Sequence, residues 1–305
     1  MIALSHSPVT EHNFRGFPFY LKRDDLLHPH FSGNKARKLK TLMEEPLPHI
    51  KTLISYGSPQ ANSLYSFAAL AYLRGWEFEF YVDHIPEMLV NHPIGNYKGA
   101  IGLGAKVIPV QQRAEKGTHP KDFINDIRQP DESCLVIPEG ARCGLAEEGI
   151  NSLAYELLDF IRLHQLQNVV VALPSGTGTT AIFLHNQLKE HDVEVLTCAC
   201  VGDNQYLESQ FKELKPDTTF PTILSLEKKH HFGKLYDEHY AIWDELKLET
   251  QVEFELLYDP IMWRCLEEWL PNNQDKTLIY LHQGGILGNQ SMLARYKYRL
   301  RQKLS

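Results

Sequence analysis

The sequence predicts an α/β chain with mostly parallel sheets. Short continuous apolar runs, such as Val169-Val170-Val171-Ala172-Leu173, read as strands buried on both faces. These runs alternate with longer helical stretches, and strand–helix alternation implies right-handed βαβ crossovers. The length of 305 residues suggests about two domains at roughly 100–200 residues each, or one large α/β unit.

The runs at 19–22, 52–56, 78–82, 106–110, 134–137, 169–173, 193–201 and 277–281 are the expected strands. Helical spacing covers 34–45, 59–74, 93–104, 144–164, 179–189 and 289–302. The polar stretch 111–133 is expected at the surface with one short helical piece. No internal repeat, low-complexity run or Gly/Ser linker marks a boundary.

Composition excludes several classes. Hydrophobic residues make up 43% and charged residues 23%, which argues against global disorder, a collagen-like fibre and a membrane-embedded chain. No run approaches the ~18 apolar residues of a bilayer crossing. The opening MIALSHSPVT has no basic n-region or apolar h-region, so no secretory signal is expected. Net charge is −7 and no dense Lys/Arg stripe stands out, so neither nucleic acid nor membrane is an expected partner. The five cysteines, Cys134, Cys143, Cys198, Cys200 and Cys265, fit neither a disulfide framework nor a zinc pattern. A reduced, cytoplasmic protein is the simplest expectation.

In such sheets ligands bind beyond the carboxyl ends of strands, so the strand-to-helix turns matter most. Ser175-Gly176-Thr177-Gly178-Thr179-Thr180 follows an apolar strand and opens a helix. Glycines let the backbone present its N–H groups, hydroxyls add donors, and the helix start adds partial positive charge, which together suit a phosphate. No lysine follows, so the nucleotide P-loop pattern fails; a plain Ser/Thr/Gly turn is the alternative. Lys35 follows Gly33 and Asn34 at the start of a helix. That position disfavours the ammonium and favours a free amine, which can form a Schiff base with an aldehyde. A surface lysine is the alternative, and Lys38 and Lys40 are read as such. A cradle without its own lysine plus a separate reactive amine suggests pyridoxal 5′-phosphate.

The segment KRDDLLHPHFSGNKARKL resembles the cofactor-lysine motif of the 1-aminocyclopropane-1-carboxylate (ACC) deaminase/D-cysteine desulfhydrase family. That family belongs to the tryptophan-synthase-β-like, fold-type-II pyridoxal-phosphate enzymes. The resemblance continues in order. Gly57-Ser58-Pro59-Gln60-Ala61-Asn62 resembles GGIQSN, Gly95-Asn96 with Gly104-Ala105 resembles GN…GA, and Pro138-Glu139-Gly140 resembles PEGG. Gly176–Thr180 resembles the family's phosphate loop, Asp259-Pro260 its DPVYTG, and His282-Gln283-Gly284-Gly285 its HTGG.

The resemblance implies that Lys35 is the Schiff-base lysine and Cα proton acceptor. It implies that Asn62 hydrogen-bonds the pyridine 3′-oxygen and that Ser175 through Thr180 hold the phosphate; Gln283, whose amide can donate to a neutral ring nitrogen or accept from a protonated one, is a further cofactor-binding candidate. Gln60, Ala61, Asn62 and Ser63 would receive the substrate. The substrate carboxylate also suits the N–H groups following Ser58 and Pro59, read as an N-cap and first helical residue. The implied architecture has a smaller α/β domain at 46–155 that closes over substrate. A larger cofactor-binding domain comprises 1–45 and 156–305, with the cofactor in the cleft. Family members tend to be dimers, which allows a homodimer.

The departures from the motifs bear on the reaction. The serine before the asparagine is Ala61, and Ser63 lies roughly 200° round the helix from it. The tyrosine of DPVYTG falls at Met262. The next position, a carboxylate in ACC deaminases, is Trp263, and the threonine of HTGG is Gln283. Without a carboxylate near the ring nitrogen a weaker electron sink is expected. The expected reaction is therefore D-cysteine desulfhydrase-like β-elimination, giving keto acid, ammonia and sulfide. ACC deamination, elimination or racemisation on another small amino acid, and a non-catalytic phosphate-metabolite or pyridoxal-phosphate-binding protein are the alternatives.

The remaining candidates read as structural. Cys198 and Cys200 share one face of a strand. His230 and His231 lack a third metal ligand and are expected in a solvated loop. Residues 228–231 form a short basic surface patch. Tyr56 and His282 each have two readings, near the cofactor or packed.

Overall fold

The computed structural model describes residues 4–115, 117–228 and 230–304. Its chain divides into two compact units: Met1–Lys40 with Gly144–Ile286, and Thr41–Cys143 with Leu287–Ser305. The boundaries thus fall near 40 and 143 rather than 45 and 155. The C-terminal helix Asn289–Leu304, expected in the larger domain, belongs to the smaller unit. There it packs on the helix Gly95–Gly102, and the Gln290 side chain accepts from the Gly95 N–H at 3.3 Å.

In chain order the strands are β1 (Val9–Phe14), β2 (Phe17–Lys22), β3 (Thr52–Tyr56), β4 (Glu77–Val82), β5 (Ala105–Pro109), β6 (Cys134–Val136), β7 (Val169–Ser175), β8 (Glu194–Ala199), β9 (Thr222–Leu224) and β10 (Thr277–Leu281). The larger unit holds a six-stranded sheet of order β1-β2-β10-β7-β8-β9. Only the β1–β2 hairpin is antiparallel. Its two-residue loop, Arg15 at φ 50° and Gly16 at φ 85°, has the two positive φ angles of a type I′ turn, whose twist matches the strands it joins.

Both faces of this sheet are covered. Val169, Val171 and Leu173 of β7 pack with Ile150, Leu153 and Leu157 of the helix Ala146–Leu163 and Ile182 of the helix Thr179–Leu188. The other face carries the helix Asp259–Trp269. Trp263, 1% exposed, stacks on Tyr280 and meets Phe14 and Phe19 edge-on at ring separations of 4.8, 5.2 and 4.8 Å. The smaller unit holds a parallel sheet of order β5-β4-β3-β6. β3 feeds the helix Asn62–Arg74, which buries Leu64, Phe67, Ala68 and Ala71.

Three helices not anticipated from the sequence, Asn204–Leu214, Asp237–Thr250 and Asp259–Trp269, belong to the larger unit. Among the described residues, no helix is long and apolar enough to cross a membrane. All five cysteines are free, and no group of three or more His, Cys, Asp or Glu residues among those described could hold a metal ion.

Candidate active site

The larger unit carries the amine and the hydroxyl-rich turn. β7 ends at Ser175, and Gly176, Thr177 and Gly178 form the turn into the helix Thr179–Leu188. Gly178 caps that helix at φ 69°, a conformation natural to glycine. A Cβ there would also strike the Phe211 ring and come 2.7 Å from Leu207. Over Gly176 lies the edge of the half-buried Tyr258 ring, where a Cβ would stand 3.3 Å from Cε1 and 3.7 Å from the hydroxyl oxygen. The turn is thus bordered by the Phe211 and Tyr258 rings and by Leu207.

The hydroxyls fall into two groups. Ser175 is buried and accepts at 2.7 Å from the Thr197 hydroxyl. Thr177 and Thr179 share a hydrogen bond at 3.0 Å. Thr180 Oγ1 is buried and has no hydrogen-bond partner. An unpaired buried hydroxyl costs stability, and the first turn of a helix adds N–H groups that no intrahelical carbonyl takes. An anion seated at this turn would satisfy both. The residues present therefore fit a phosphate group.

Lys35 lies in the six-residue helix Gly33–Lys38. The expected single helix over 34–45 is broken at Leu39, whose φ −111° and ψ 20° end the first piece. Lys38, read from sequence as a surface lysine, is 2% exposed, because the short helix is packed on several sides, with Ala36 and Arg37 also buried. The start of this helix is strapped to the HTGG-like turn. Gly33 has φ 66°, and a Cβ on it would collide with the Gln283 carbonyl. That carbonyl accepts from the Asn34 N–H at 3.1 Å.

The side chains continue the connection. Lys35 Nζ donates to Asn34 Oδ1 at 3.0 Å, Asn34 Nδ2 donates to Gln283 Oε1 at 2.9 Å, and Gln283 Nε2 donates to the Pro174 carbonyl at 2.7 Å. A continuous path thus joins the amine to the strand end from which the hydroxyl-rich turn departs. His282 is a satisfied core residue. It is fully buried, stacked on Phe254 at 5.0 Å, hydrogen-bonded through Nε2 to the Glu253 carbonyl at 2.9 Å, and accepts from the Gly284 N–H at 3.1 Å.

Below Lys35 the same helix is anchored by a buried ion network. Arg37, 0% exposed, makes a paired contact with Asp24 at 3.0 and 2.8 Å and another with Glu156 at 2.5 and 2.9 Å. Lys22 reaches Glu156 at 2.7 Å, and the Ser7 hydroxyl reaches Asp24 at 2.6 Å.

The smaller unit carries the other residues read from the sequence. Ser58 is not the helix cap. Residues 58–61 form a turn closed by Ala61 N–H to the Ser58 carbonyl at 3.0 Å, with the Ser58 hydroxyl 3.3 Å from the Gln60 N–H. The helix begins at Asn62 with Ala61 as N-cap and no side-chain cap. The N–H groups available to a carboxylate thus start two residues later than expected, at Asn62 and Ser63.

Asn96 Nδ2 donates to the Gln60 carbonyl at 3.0 Å and to Asn62 Oδ1 at 2.7 Å. Since a carbonyl can only accept, the Asn96 amide nitrogen must face this way, and Asn62 must offer it oxygen. The Asn62 N–H pair is then left as a donor. The Glu139 carboxylate lies against the same turn, 2.9 Å from where a Cβ on Gly57 would be. Tyr56 packs edge-on to His119 at 5.8 Å.

Of the departures from the family motifs, Met262 and Trp263 are fully buried. Asp259 next to them is also buried; it accepts from the Tyr280 hydroxyl at 2.7 Å and the Glu255 N–H at 2.9 Å, and burial pushes its carboxyl up. Cys198 and Cys200 are core residues with sulfurs 3.7 Å apart. His230 is half-buried on the Cys200 carbonyl at 3.0 Å rather than solvated. His231 is exposed, and Lys229 of the basic patch lies outside the described residues.

Sequence reasoning missed Asn34, Asn96 and Tyr258 as parts of these sites. Asn34 and Asn96 stand inside the quoted motifs, next to Lys35 and Gly95, so their place was legible. Tyr258 carries no sequence signal beyond preceding Asp259-Pro260.

No family model matches the chain. Over 287 residues, 90% of each chain, it is 27% identical to a Thermotoga maritima protein provisionally named 1-aminocyclopropane-1-carboxylate deaminase. Over 317 residues, 94% of this chain and 78% of the relative, it is 23% identical to the bifunctional D-cysteine desulfhydrase/1-aminocyclopropane-1-carboxylate deaminase, mitochondrial, of Arabidopsis thaliana. A crystal structure described as an ACC deaminase homologue superposes with a TM-score of 0.76 at 19% identity, covering 96% of this chain and 93% of that one. The fold is thus of the tryptophan-synthase-β-like, fold-type-II class. Along most of its length the chain is thus similar to proteins named for ACC deaminase and D-cysteine desulfhydrase activities.

Proposed function

We propose that the protein catalyses β-elimination from a small amino acid with a good leaving group at Cβ, D-cysteine being the model substrate. The observation that carries this reading is the hydrogen-bonded path within the larger unit from Lys35 Nζ through Asn34 and Gln283 to Pro174. It supports the reading because capture of a phosphorylated aldehyde calls for an amine and an anion-accepting turn tied to one framework. Pyridoxal phosphate, when bound, supplies the carbonyl and a ring that delocalises negative charge at Cα.

The chain's own groups then have distinct tasks. Ser175 through Thr180 hold the phosphate with hydroxyls and backbone N–H groups. Lys35 Nζ takes the Cα proton. The Cα electron pair forms the double bond to Cβ as the Cβ–S bond breaks and sulfide leaves, and water then releases keto acid and ammonia. Asn62 offers amide N–H donors to a ring oxygen, and the N–H groups of Asn62 and Ser63 offer a carboxylate site next to Gln60 and Ala61.

Elimination is favoured over ring opening by what the chain lacks. Ala61 brings no hydroxyl to the substrate turn. Met262 and Trp263 are core residues, and the Asp259 carboxyl is already engaged. No carboxylate or phenol stands where the family motif would put one, whereas departure of a thiolate asks least of the electron sink.

Incubation with D-cysteine and with ACC tests this. Sulfide from the first and no keto acid from the second is expected; keto acid from ACC without sulfide from D-cysteine would overturn the assignment. A colourless protein that binds phosphate esters equally well after Lys35→Ala would instead mark a non-catalytic binding module.

Thr180→Val tests the cradle separately. Replacing a buried, unpaired hydroxyl with a methyl of the same shape should leave the ligand-free protein as stable or more stable by up to about 1 kcal/mol. The same change should weaken pyridoxal phosphate binding by about tenfold, the worth of one hydrogen bond to a charged group. Thermal melts with and without cofactor read both. A loss of stability without cofactor would show that Thr180 is structural.

A further inference from the structure

We infer that Gln283 is a positioning residue for Lys35, acting through Asn34: it sets which atom of the Asn34 amide faces the amine. This deepens the reading of Lys35 as a carbonyl-capturing amine and rests on it.

Hydrogen-bond polarity fixes both amides. A side-chain amide offers oxygen at one end and nitrogen at the other, and either end fits the same space. The choice must therefore come from a neighbour that has no choice. The Pro174 main-chain carbonyl is such a neighbour, since it can only accept. With Gln283 2.7 Å away, the Gln283 nitrogen has to face Pro174, and its oxygen faces the opposite way. That oxygen stands 2.9 Å from the Asn34 amide, so Asn34 must present nitrogen to it. The Asn34 oxygen is then turned to Lys35 Nζ, 3.0 Å away. A fixed acceptor on the main chain of β7 is thus relayed through two amides into a fixed acceptor for the amine.

The relay is held in register by the main chain. The Asn34 N–H donates to the Gln283 carbonyl at 3.1 Å, so the two residues are joined by backbone and side chain together. The close approach requires Gly33, where any Cβ would collide with that carbonyl. The consequence is directional. With Asn34 oxygen towards it, Lys35 is drawn by an acceptor into one orientation. With the amide reversed, Asn34 would present N–H groups, which repel an ammonium and compete with an amine's own hydrogens.

Gln283 also stands where the family's HTGG motif carries threonine. A threonine has one hydroxyl and cannot offer a separate donor and acceptor several bonds apart. The relay is therefore a property of this chain's own residue.

A double-mutant cycle tests it. The full-length protein, stripped of bound carbonyl compounds, is treated with pyridoxal, which lacks the phosphate and so does not depend on the Ser175–Thr180 turn. The adduct is fixed with cyanoborohydride, and the rate of labelling at Lys35 is read by mass spectrometry. Gln283→Met, similar in shape and without either hydrogen-bonding group, should slow labelling about tenfold, the worth of one ordered hydrogen bond. Asn34→Ala removes the amide through which Gln283 would act. Adding Gln283→Met to Asn34→Ala should then change the rate by less than about twofold.

An equal slowing by Gln283→Met in both backgrounds would overturn the inference, since Gln283 would then act by a route other than Asn34. Where Gln283→Met does not fold, Asn34→Ala breaks the relay at its middle and should slow labelling by the same tenfold; an unchanged rate there rejects the relay as well. Absence of Lys35 labelling in the parent protein would instead sink the reading of Lys35 on which the inference stands.

Discussion

Lys35→Ala is expected to reduce sulfide release from D-cysteine by about 10³-fold or more, in line with the 10² to 10⁴ that a positioned proton-transfer group contributes, with carbonyl capture lost in addition. The variant should fold. Lys35 is only partly buried, whereas the anchoring of its helix comes from Arg37, two positions on, and from the Asn34–Gln283 strap. The variant should also keep its anion site, because the hydroxyls and N–H groups of residues 175–180 belong to another element. Retention of pyridoxal phosphate by dialysis, with loss of borohydride-fixed cofactor and of turnover, is therefore the expected combination. Exogenous small amines should restore a fraction of the proton transfer if only the base is missing. Turnover within tenfold of the parent would place the reacting amine elsewhere.

The fold was readable where burial on both faces leaves continuous apolar runs. β3 and β10 match their expected limits, and β7 extends its run by two residues, to the edge of the Gly176–Gly178 turn. β1 was not readable. Its sequence, VTEHNF, alternates weakly and has a mostly half-exposed pattern, and Arg15-Gly16 lacks the Asn-Gly or Asp-Gly signature of a type I′ turn. The helix Asn204–Leu214 did carry a signal, with Asp203 capping the Tyr206 N–H at 2.9 Å and Leu207 and Phe211 buried at helical spacing.

The hydroxyl-rich turn and Lys35 could be singled out as candidates because glycine, hydroxyl and amine chemistry is local to a few consecutive residues. The pairing of Asn34 with Gln283 could not, since Lys35 to Gln283 spans most of the chain and only the folded sheet brings β10 beside β7. The start of the helix after β3 was misplaced for a related reason. Ser58-Pro59 has the composition of a cap, but its hydroxyl is spent on a turn that precedes the helix.

The largest expected effect on stability belongs to Arg37, and its size should depend on pH in a specific way. Burial pushes the Glu156 carboxyl up, but the hydrogen bonds and charge of Arg37, then of Lys22, outweigh it and hold it at about 2, below the ordinary 4.5. A carboxyl depressed by folding contributes stability that is fully present above its unfolded value, and that is lost as pH falls towards the folded one. The contribution here is about 3 kcal/mol, present above roughly pH 4.5 and gone near pH 2. Urea unfolding followed by tryptophan fluorescence should show the midpoint falling across that window, and Glu156→Gln should flatten that part of the profile.

Arg37→Met should act in the opposite sense across the same window. At neutral pH it leaves Asp24 and Glu156 facing each other in a buried site with Lys22 as the remaining cation of the network. Breaking a buried pair from one side costs about 3–5 kcal/mol. As pH falls and the carboxyls take protons, the uncompensated charge disappears, so the deficit relative to the parent should shrink. Two profiles that converge towards pH 2 are expected. Parallel profiles would mean that Arg37 acts by packing and not by charge. Because Arg37 and Lys35 share one short helix, the variant should also slow Lys35 labelling at neutral pH and recover part of the rate when Asp24→Asn removes one of the two stranded carboxylates. That recovery would tie the ion network under the helix to the orientation of the amine above it.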